Sequence, residues 1–209
     1  MSDDQRSARD VLEPTKGDPP GARRWADYLD WMRETIIAGV TGLDPQAQRR
    51  ALVPSGWTPI ELLSHVLHME QRWFIWGFLG ERVDDPWGDW THPEPSDSEA
   101  DARWVVADGV SAQELAERLR AIGARTRQVL AEYPPGAVAR PGGRFLDDPP
   151  TLEWICFHVL AEYARHAGHL DIVVELHGSR QETPGSMDFA VTGDHPIPRT
   201  GGGGQWRDD

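Results

Sequence analysis

The sequence predicts an all-α protein, a four-helix bundle with long connecting loops, and two observations lead to this class. Four long stretches repeat apolar residues at spacings of three and four, the period of an amphipathic helix. No run between them shows the strict alternation of a half-buried strand. Helices of about 20 residues are about 30 Å long and pack side by side in bundles. The clearest apolar stripe, in the first helix, is Trp25, Leu29, Met32, Ile36 and Val40.

The four helices are bounded by residues that start or stop helices. Their predicted ranges, in chain order, are 22–40, 58–79, 111–133 and 151–178. Thr58 with Glu61, and Ser111 with Glu114, predict capping boxes that satisfy the first backbone amides of the second and third helices. Glycine or proline follows each helix, because glycine adopts the left-handed conformation that closes a helix and proline cannot continue one. These residues are Gly42, Gly80, Pro134, Pro135 and Gly178.

The chain divides into an N-terminal arm, one helical domain and a C-terminal extension. Residues 1–20 and 179–209 have no hydrophobic period, so we expect a flexible arm and an irregular extension. The bundle occupies residues 21–178. Two of its connections, 81–110 and 134–150, are long for a simple bundle, which predicts crossover connections and loops that cover a site.

Composition and charge exclude several classes of function. The chain has 21 basic and 34 acidic residues, a net charge of −13, and a field of this sign repels DNA and RNA. No run of about 18 apolar residues exists to span a membrane, and the polar start predicts no secretory signal. The single cysteine, Cys156, cannot form an internal disulfide, which is typical of a reducing compartment. We therefore expect a cytoplasmic protein whose partners are neither nucleic acid nor membrane.

The fourth predicted helix carries an unusual polar stripe. Three histidines and a glutamate recur at spacings of three and four, so at about 100° per residue they share one face. They are His158, Glu162, His166 and His169. Apolar neighbours indicate that much of this helix is buried, where ionisable groups are costly unless they are paired or bind a metal. The stripe is therefore either a hydrogen-bonded polar network or part of a metal site.

A third metal ligand is available on the second predicted helix. His65 lies among apolar residues and should point toward the edge of the core, whereas His68 shares a more polar side with Ser64 and Gln71 and is expected at the surface. One glutamate and two histidines match the three-ligand pattern of catalytic metal sites, which keep a position open for water or substrate. The same set suits zinc and non-haem iron, so ligand types alone do not identify the metal.

Several motifs resemble the DinB/YfiT-like superfamily, most closely the actinobacterial branch related to the mycothiol-dependent maleylpyruvate isomerase. The matching motifs are SGWTP (55–59), ELLSH (61–65), EQRWF (70–74) and HVLAEYARHAGHLD (158–171). The resemblance covers about residues 22–178. It implies an up-down-down-up four-helix bundle that holds one divalent metal, usually zinc, with nickel or another ion such as iron as alternatives.

The resemblance also implies roles for single residues. His65 matches the histidine of the family's early metal-binding helix, and Glu162 and His166 match the last two ligands. Many relatives place histidine at the position of Glu162, so the isomerase branch, which has glutamate and histidine, is the better guide. His158 and His169 would then contact the ligands or the substrate, and either one is an alternative ligand if the register differs.

The chemistry implied by the resemblance uses a low-molecular-weight thiol. A metal with three protein ligands lowers the pKa of a bound thiol, which gives a thiolate near neutral pH. We therefore expect an S-transferase or isomerase in which this thiolate attacks an electrophilic small molecule. Relatives use mycothiol, bacillithiol or glutathione. Only Lys16 among the 21 basic residues is lysine, a bias typical of a GC-rich host that favours mycothiol. Relatives also tend to form homodimers.

Other residues have a weaker link to this chemistry. Arg72 and Arg165 are candidates for contact with the thiol or the substrate, although surface charge or an ion pair would also explain them, and Trp76 is a further candidate for such a contact. The candidates for a wall of the electrophile pocket are Trp87, Trp90 and Trp104, which packing alone would explain equally well. Cys156 lies off the stripe of Glu162 and is expected to be a packed core residue rather than a nucleophile.

Three other functions stay open at the level of sequence. The first is a metal hydrolase, in which a metal-bound hydroxide would need no thiol. The second is a non-catalytic metal or thiol binder that serves in a stress response. The third is a metal-free bundle whose histidines form a structural network.

Overall fold

The computed structural model describes residues 13–14, 21–83 and 105–181, and the regular secondary structure in these residues is helical. The helices are α1 (Ala22–Thr41), α2 (Pro45–Gln48), α3 (Pro59–Glu70), α4 (Ala112–Glu132) and α5 (Leu152–Gln181), and a π-helical segment, Gln71–Phe78, continues α3. Within the described residues there is no strand, and extended pairing is limited to one isolated bridge between Val138 and Thr151. The predicted all-α class is confirmed.

The four long helices share one hydrophobic core. α1 packs against α4 and α5, and α3 packs against α1, α4 and α5. Every residue of α3 except Glu61 is buried, so this helix has no solvent-facing side. Large core side chains include Trp73, Phe74, Phe78 and Tyr163. The up-down-down-up order of the helices stays a prediction from the resemblance.

Most helix ends follow the local signals in the sequence. At the start of α3, Thr58 Oγ1 accepts a bond from the backbone N–H of Glu61, and the Glu61 carboxylate accepts one from the N–H of Thr58 at 2.8 Å. Ser111 caps α4 by accepting from the N–H of Glu114 at 3.1 Å. Gly178 does not end α5, which continues to Gln181, three residues into the predicted irregular extension. A glycine permits a helix end but does not force one.

The predicted α-helix over 58–79 is wrong in its second half. From Gln71 the helix widens into a π-helix, in which the N–H of Leu79 bonds to the carbonyl of Phe74, five residues back, at 3.1 Å. Apolar spacing over eight residues does not distinguish the two helix types, so the sequence could not predict this change. The short α2 has no periodic signal because four residues are too few to show one; Asp44 caps it.

Several predictions fall on parts of the chain that lie outside the described residues. These are most of the N-terminal arm, the greater part of the 81–110 connection and the extension after Gln181. The second long connection, 134–150, is described and runs back across the π-helical segment. None of the described helices combines the length and the apolar character needed to cross a membrane.

Candidate metal centre

His65 on α3 lies beside Glu162 and His166 on α5. The Nε2 atoms of His65 and His166 are 2.9 Å apart, and His166 Nε2 is 3.3 Å from Oε2 of Glu162. One ligand atom from each residue lies within 4.8 Å of those of the other two. Imidazole nitrogens and a carboxylate oxygen are donors that zinc and non-haem iron take from proteins. This group, called the His–Glu–His cluster below, has the donor set and the spacing for a divalent metal.

Simple helix geometry explains how the cluster forms. Glu162 and His166 are four residues apart, so their side chains lie one above the other on the same face of α5. His65 is on α3, whose first turn is fixed by the Thr58–Glu61 capping box. Contact between α3 and α5 then brings the three side chains together. Two of the three ligand positions are therefore set locally, and the third depends on helix packing.

The protonation states of His65 and Glu162 suit metal binding. The pKa of His65 is held well below its usual value, first by burial and then by the neighbouring His166 and Arg72. The pKa of Glu162 is also lowered, first by its hydrogen bond with His166 and further by Arg165, whose Nη1 is 3.6 Å from Glu162 Oε1. A neutral imidazole and an ionised carboxylate are the forms that coordinate metals.

The other two histidines of the α5 stripe contact the cluster's surroundings instead of joining its donor set. The ring of His169 lies with its centroid 5.7 Å from that of His166 and 6.4 Å from that of Trp57. Burial lowers the pKa of His169 first, and the nearby His166 lowers it further. His158, one turn before Glu162, packs against aromatic rings. Neither histidine is in the group whose ligand atoms converge among the described residues, and their roles as contact residues or alternative ligands stay predictions.

Two residues of the second predicted helix are placed differently from expectation. His68 is 5% exposed, not at the surface, and its Nδ1 donates to the carbonyl of Ser64 at 2.7 Å. Arg72 is also buried, at 1% exposure, so the explanation as a surface charge is wrong for it. The physical reason is that α3 and its π-helical continuation are surrounded by the other helices, and even the more polar side of this helix is covered.

The structure places the other predicted contact residues, Arg165 and Trp76, at the edge of the cluster and on the π-helical segment. Arg165 is half exposed at the edge of the cluster, where it pairs with Glu162. Trp76 is partly buried, and its backbone carbonyl accepts a bond from the N–H of Arg144 at 3.4 Å. The three tryptophans proposed as a pocket wall, Trp87, Trp90 and Trp104, lie outside the described residues.

The loop between α4 and α5 brings a cation to the aromatic residues near the cluster. Its backbone bonds to carbonyls of the π-helical segment, from the N–H of Arg140 to Phe78 at 2.9 Å and from the N–H of Arg144 to Trp76. As a result, the guanidinium of Arg144 lies 4.2 Å from the ring centroid of Trp73. Sequence reasoning missed Arg144, because its position depends on backbone bonds between this loop and the carbonyls of Trp76 and Phe78, which are distant in sequence.

A buried ionic network, which sequence reasoning also missed, connects the four long helices. The Glu70 carboxylate accepts bonds from Arg33 Nε at 3.0 Å and Nη2 at 2.6 Å, from Thr126 Oγ1 at 2.6 Å, and from the hydroxyl of Tyr163. Arg33 also pairs with Asp30. Burial alone would lower the pKa of Arg33, but the charge of Glu70 raises it overall. The sequence contained one indication of this network. Arg33 lies between Met32 and Ile36, on the apolar side of α1, where a charged residue needs a buried partner.

Cys156 is a core residue, as its sequence position predicts. It is 1% exposed, and burial, with a contribution from Glu153, raises the pKa of its thiol to about 12. A thiol with such a pKa is almost entirely protonated near neutral pH and is a poor nucleophile. Burial and this raised pKa both argue against Cys156 as a nucleophile.

Comparison with known families agrees with the motifs. The family model of the mycothiol S-transferases matches residues 25–178, more than half of the 209-residue chain. The matched range begins in the first turn of α1, ends near the end of α5 and includes the His–Glu–His cluster. No curated protein matches the sequence. The motifs predicted a relationship to the DinB/YfiT-like, mycothiol-associated proteins, and this match confirms it. The chain belongs to the mycothiol S-transferase family.

Proposed function

We propose that the protein joins mycothiol to an electrophilic small molecule, with a divalent metal held by His65, Glu162 and His166. The observation that carries the proposal is the convergence of these three side chains, from two helices, to within 4.8 Å. Membership of the mycothiol S-transferase family supports the choice of thiol. Zinc is the metal we propose first, because two imidazoles and one carboxylate are a common catalytic zinc set.

Each residue in and around the cluster has a separate role in this proposal. A divalent metal bound there would lower the pKa of a thiol and make it reactive near neutral pH. His65 and His166 supply neutral nitrogen ligands, and Glu162 supplies one negative charge. Arg165, paired with Glu162, orients that carboxylate and offsets part of its charge. His169, whose ring centroid is 5.7 Å from that of His166, is the residue we propose for contact with the thiol or the substrate.

The reaction breaks the S–H bond of the thiol and forms one C–S bond. In S-transfer, the electrophile loses a leaving group with its bonding electrons, and the thiol proton passes to solvent. In isomerisation, the sulfur adds to a double bond conjugated with a carbonyl, whose oxygen takes up the electron pair. After rotation the pair returns, the C–S bond breaks again, and the released thiolate regains its proton. Both reactions need a reduced thiol, which is why we place the protein in the cytoplasm. A homodimer and the absence of a nucleic-acid partner complete the proposal.

Metal content is the first test. We would measure it by mass spectrometry on protein purified without an affinity tag, for the wild type and for His65→Ala, Glu162→Ala and His166→Ala. His177→Ala is the matched control, since His177 also lies on α5 but pairs with Asp44 at 3.3 Å, outside the cluster. We expect about one metal per chain in the wild type and the control, and a large loss in the other three. Normal occupancy in all three variants would refute the cluster as the metal site.

Turnover is the second test. Zinc-loaded protein is mixed with mycothiol and monochlorobimane, whose chloride is replaced by sulfur to give a fluorescent product. We expect thiol-dependent turnover that is lost in the three cluster variants and kept in His177→Ala. Ester hydrolysis without thiol would favour a hydrolase, and metal binding without turnover of any electrophile would favour a non-catalytic binder. Either result would contradict the proposed transfer.

A further inference from the structure

Trp154 is half exposed to solvent and stacks its ring on that of His158. The residue is 48% exposed near the N-terminal end of α5. Its ring is nearly parallel to that of His158, with an angle of 12° between the planes and 5.3 Å between the centroids. His158 in turn packs against the buried ring of Trp73 at 4.1 Å, and Trp73 lies 5.7 Å from Trp154. An exposed indole supported by two other rings loses little conformational entropy when a ligand covers it.

This surface lies on the same face of α5 as the metal cluster. Trp154, His158 and Glu162 follow one another at intervals of four residues, so their side chains form one row. At 1.5 Å per residue, Trp154 is about 12 Å from Glu162 along the helix. A ligand that reaches both positions must therefore be elongated, with its reactive atom at one end.

Polar groups border the same row. Arg144 stacks on Trp73 at 4.2 Å, on a loop that is bonded to the π-helical segment. Arg165, half exposed, lies near Glu162 at the other end. Guanidinium N–H groups are rigid hydrogen-bond donors, and they suit hydroxyl and carbonyl oxygens as well as carboxylates.

We propose that Trp154 is the platform for the sugar end of the thiol substrate, an inference that rests on the proposed function. Mycothiol carries its sulfur on an acetylated cysteine, which is joined by an amide to glucosamine and through it to inositol. The molecule thus has a reactive sulfur at one end and two saturated, hydroxylated rings at the other. The C–H face of such a ring packs on a flat indole, and its hydroxyls accept bonds from donors such as Arg144. His158 and Trp73 act as positioning residues that hold the platform.

The test separates the sugar end from the sulfur. The probe is N-acetylglucosaminyl-inositol, which has no thiol, and its binding is measured by isothermal titration calorimetry on metal-free and zinc-loaded protein. We expect it to bind both forms, and Trp154→Ala to bind about tenfold more weakly, the change that a loss of ~1.4 kcal/mol produces. The matched control is Phe157→Ala, because Phe157 is 59% exposed on the same helix but packs against Trp25 at 4.4 Å. Trp154→Leu, which keeps apolar bulk without a flat face, replaces the alanine variant if that variant does not fold.

The thiol substrate gives a second, independent measurement. In the monochlorobimane assay, Trp154→Ala should raise the KM for mycothiol and leave the KM for N-acetylcysteine, which lacks the sugars, unchanged. Equal binding of the sugar probe by wild type and Trp154→Ala would overturn the inference while the proposed transfer stood. Binding of the sugar probe by a protein that transfers no thiol to any electrophile would support the inference and contradict the proposed function. Unchanged probe binding with loss of a dimer in Trp154→Ala would overturn the inference and make Trp154 a subunit contact.

Discussion

Replacing Gly123 by alanine in the interior of α4 should destabilise the protein, although alanine is the better helix former. By helix propensity alone, the change would stabilise the folded state by about 1 kcal/mol. A Cβ on Gly123, however, would overlap the Cζ, Nε and Nη1 atoms of Arg33. The Arg33 side chain is 4% exposed and is bonded to Glu70 and Asp30, so it moves aside only by breaking those bonds.

The size of the effect follows from the bonds that would be lost. Arg33 donates to Glu70 through Nε at 3.0 Å and through Nη2 at 2.6 Å, and both groups are buried. Removing one partner of a buried ion pair costs about 3–5 kcal/mol, because the other charge is left uncompensated. Subtracting the propensity gain of about 1 kcal/mol leaves a net loss of roughly 2–4 kcal/mol in the free energy of unfolding.

Urea unfolding followed by far-UV circular dichroism measures this difference. The matched control is Gly168→Ala, since Gly168 lies inside α5 and a Cβ there meets nothing within 4 Å. The control should be as stable as the wild type or more so, by up to about 1 kcal/mol. In an Arg33→Met background, Gly123→Ala should lose its cost. A Gly123→Ala protein as stable as the wild type would refute the reasoning, because it would show that Arg33 leaves the network freely.

Three further predictions concern the core and the α4–α5 loop. Burial and the charge of Glu70 raise the pKa of Tyr163 well above its usual value of 10, so its stabilising effect is present below about pH 10 and is lost as the pH rises toward the folded-state pKa. Ultraviolet titration should show one of the three tyrosines ionising only on unfolding, and a Tyr163→Phe protein with the same alkaline midpoint as the wild type would contradict this. Cys156→Ala should keep full S-transfer activity, and a folded but inactive variant would show that its thiol takes part. Gly143→Ala should lower the melting temperature by several degrees, since its Cβ would overlap the carbonyl oxygen of Trp76. The control is Gly136→Ala in the same loop, whose Cβ meets nothing within 4 Å and which should keep the wild-type melting temperature. Equal melting temperatures of the two variants would refute the close approach of Gly143 to Trp76.

Features that depend on neighbours along the chain could be predicted from the sequence. The all-α class and most helix limits follow from apolar spacing and from caps such as Thr58 with Glu61, and these are interactions within one helical turn. The juxtaposition of Glu162 and His166 is also local, since residues four apart share a face of a helix. The apolar neighbours of His65 along α3 also made it a candidate metal ligand. The sequence did not show, however, how close α3 lies to α5.

Only the tertiary structure decided the features that depend on partners distant in sequence. Whether the polar side of α3 meets solvent depends on how many helices surround it, so the burial of His68 and Arg72 was not predictable from one helix. Glu70 takes partners from residues 33, 126 and 163, and no local pattern connects them. The stack from Trp154 to Arg144 likewise needs the π-helix, the loop and α5 together. Local hydrogen bonding and periodicity therefore determine where helices form, whereas packing determines which buried polar side chains meet.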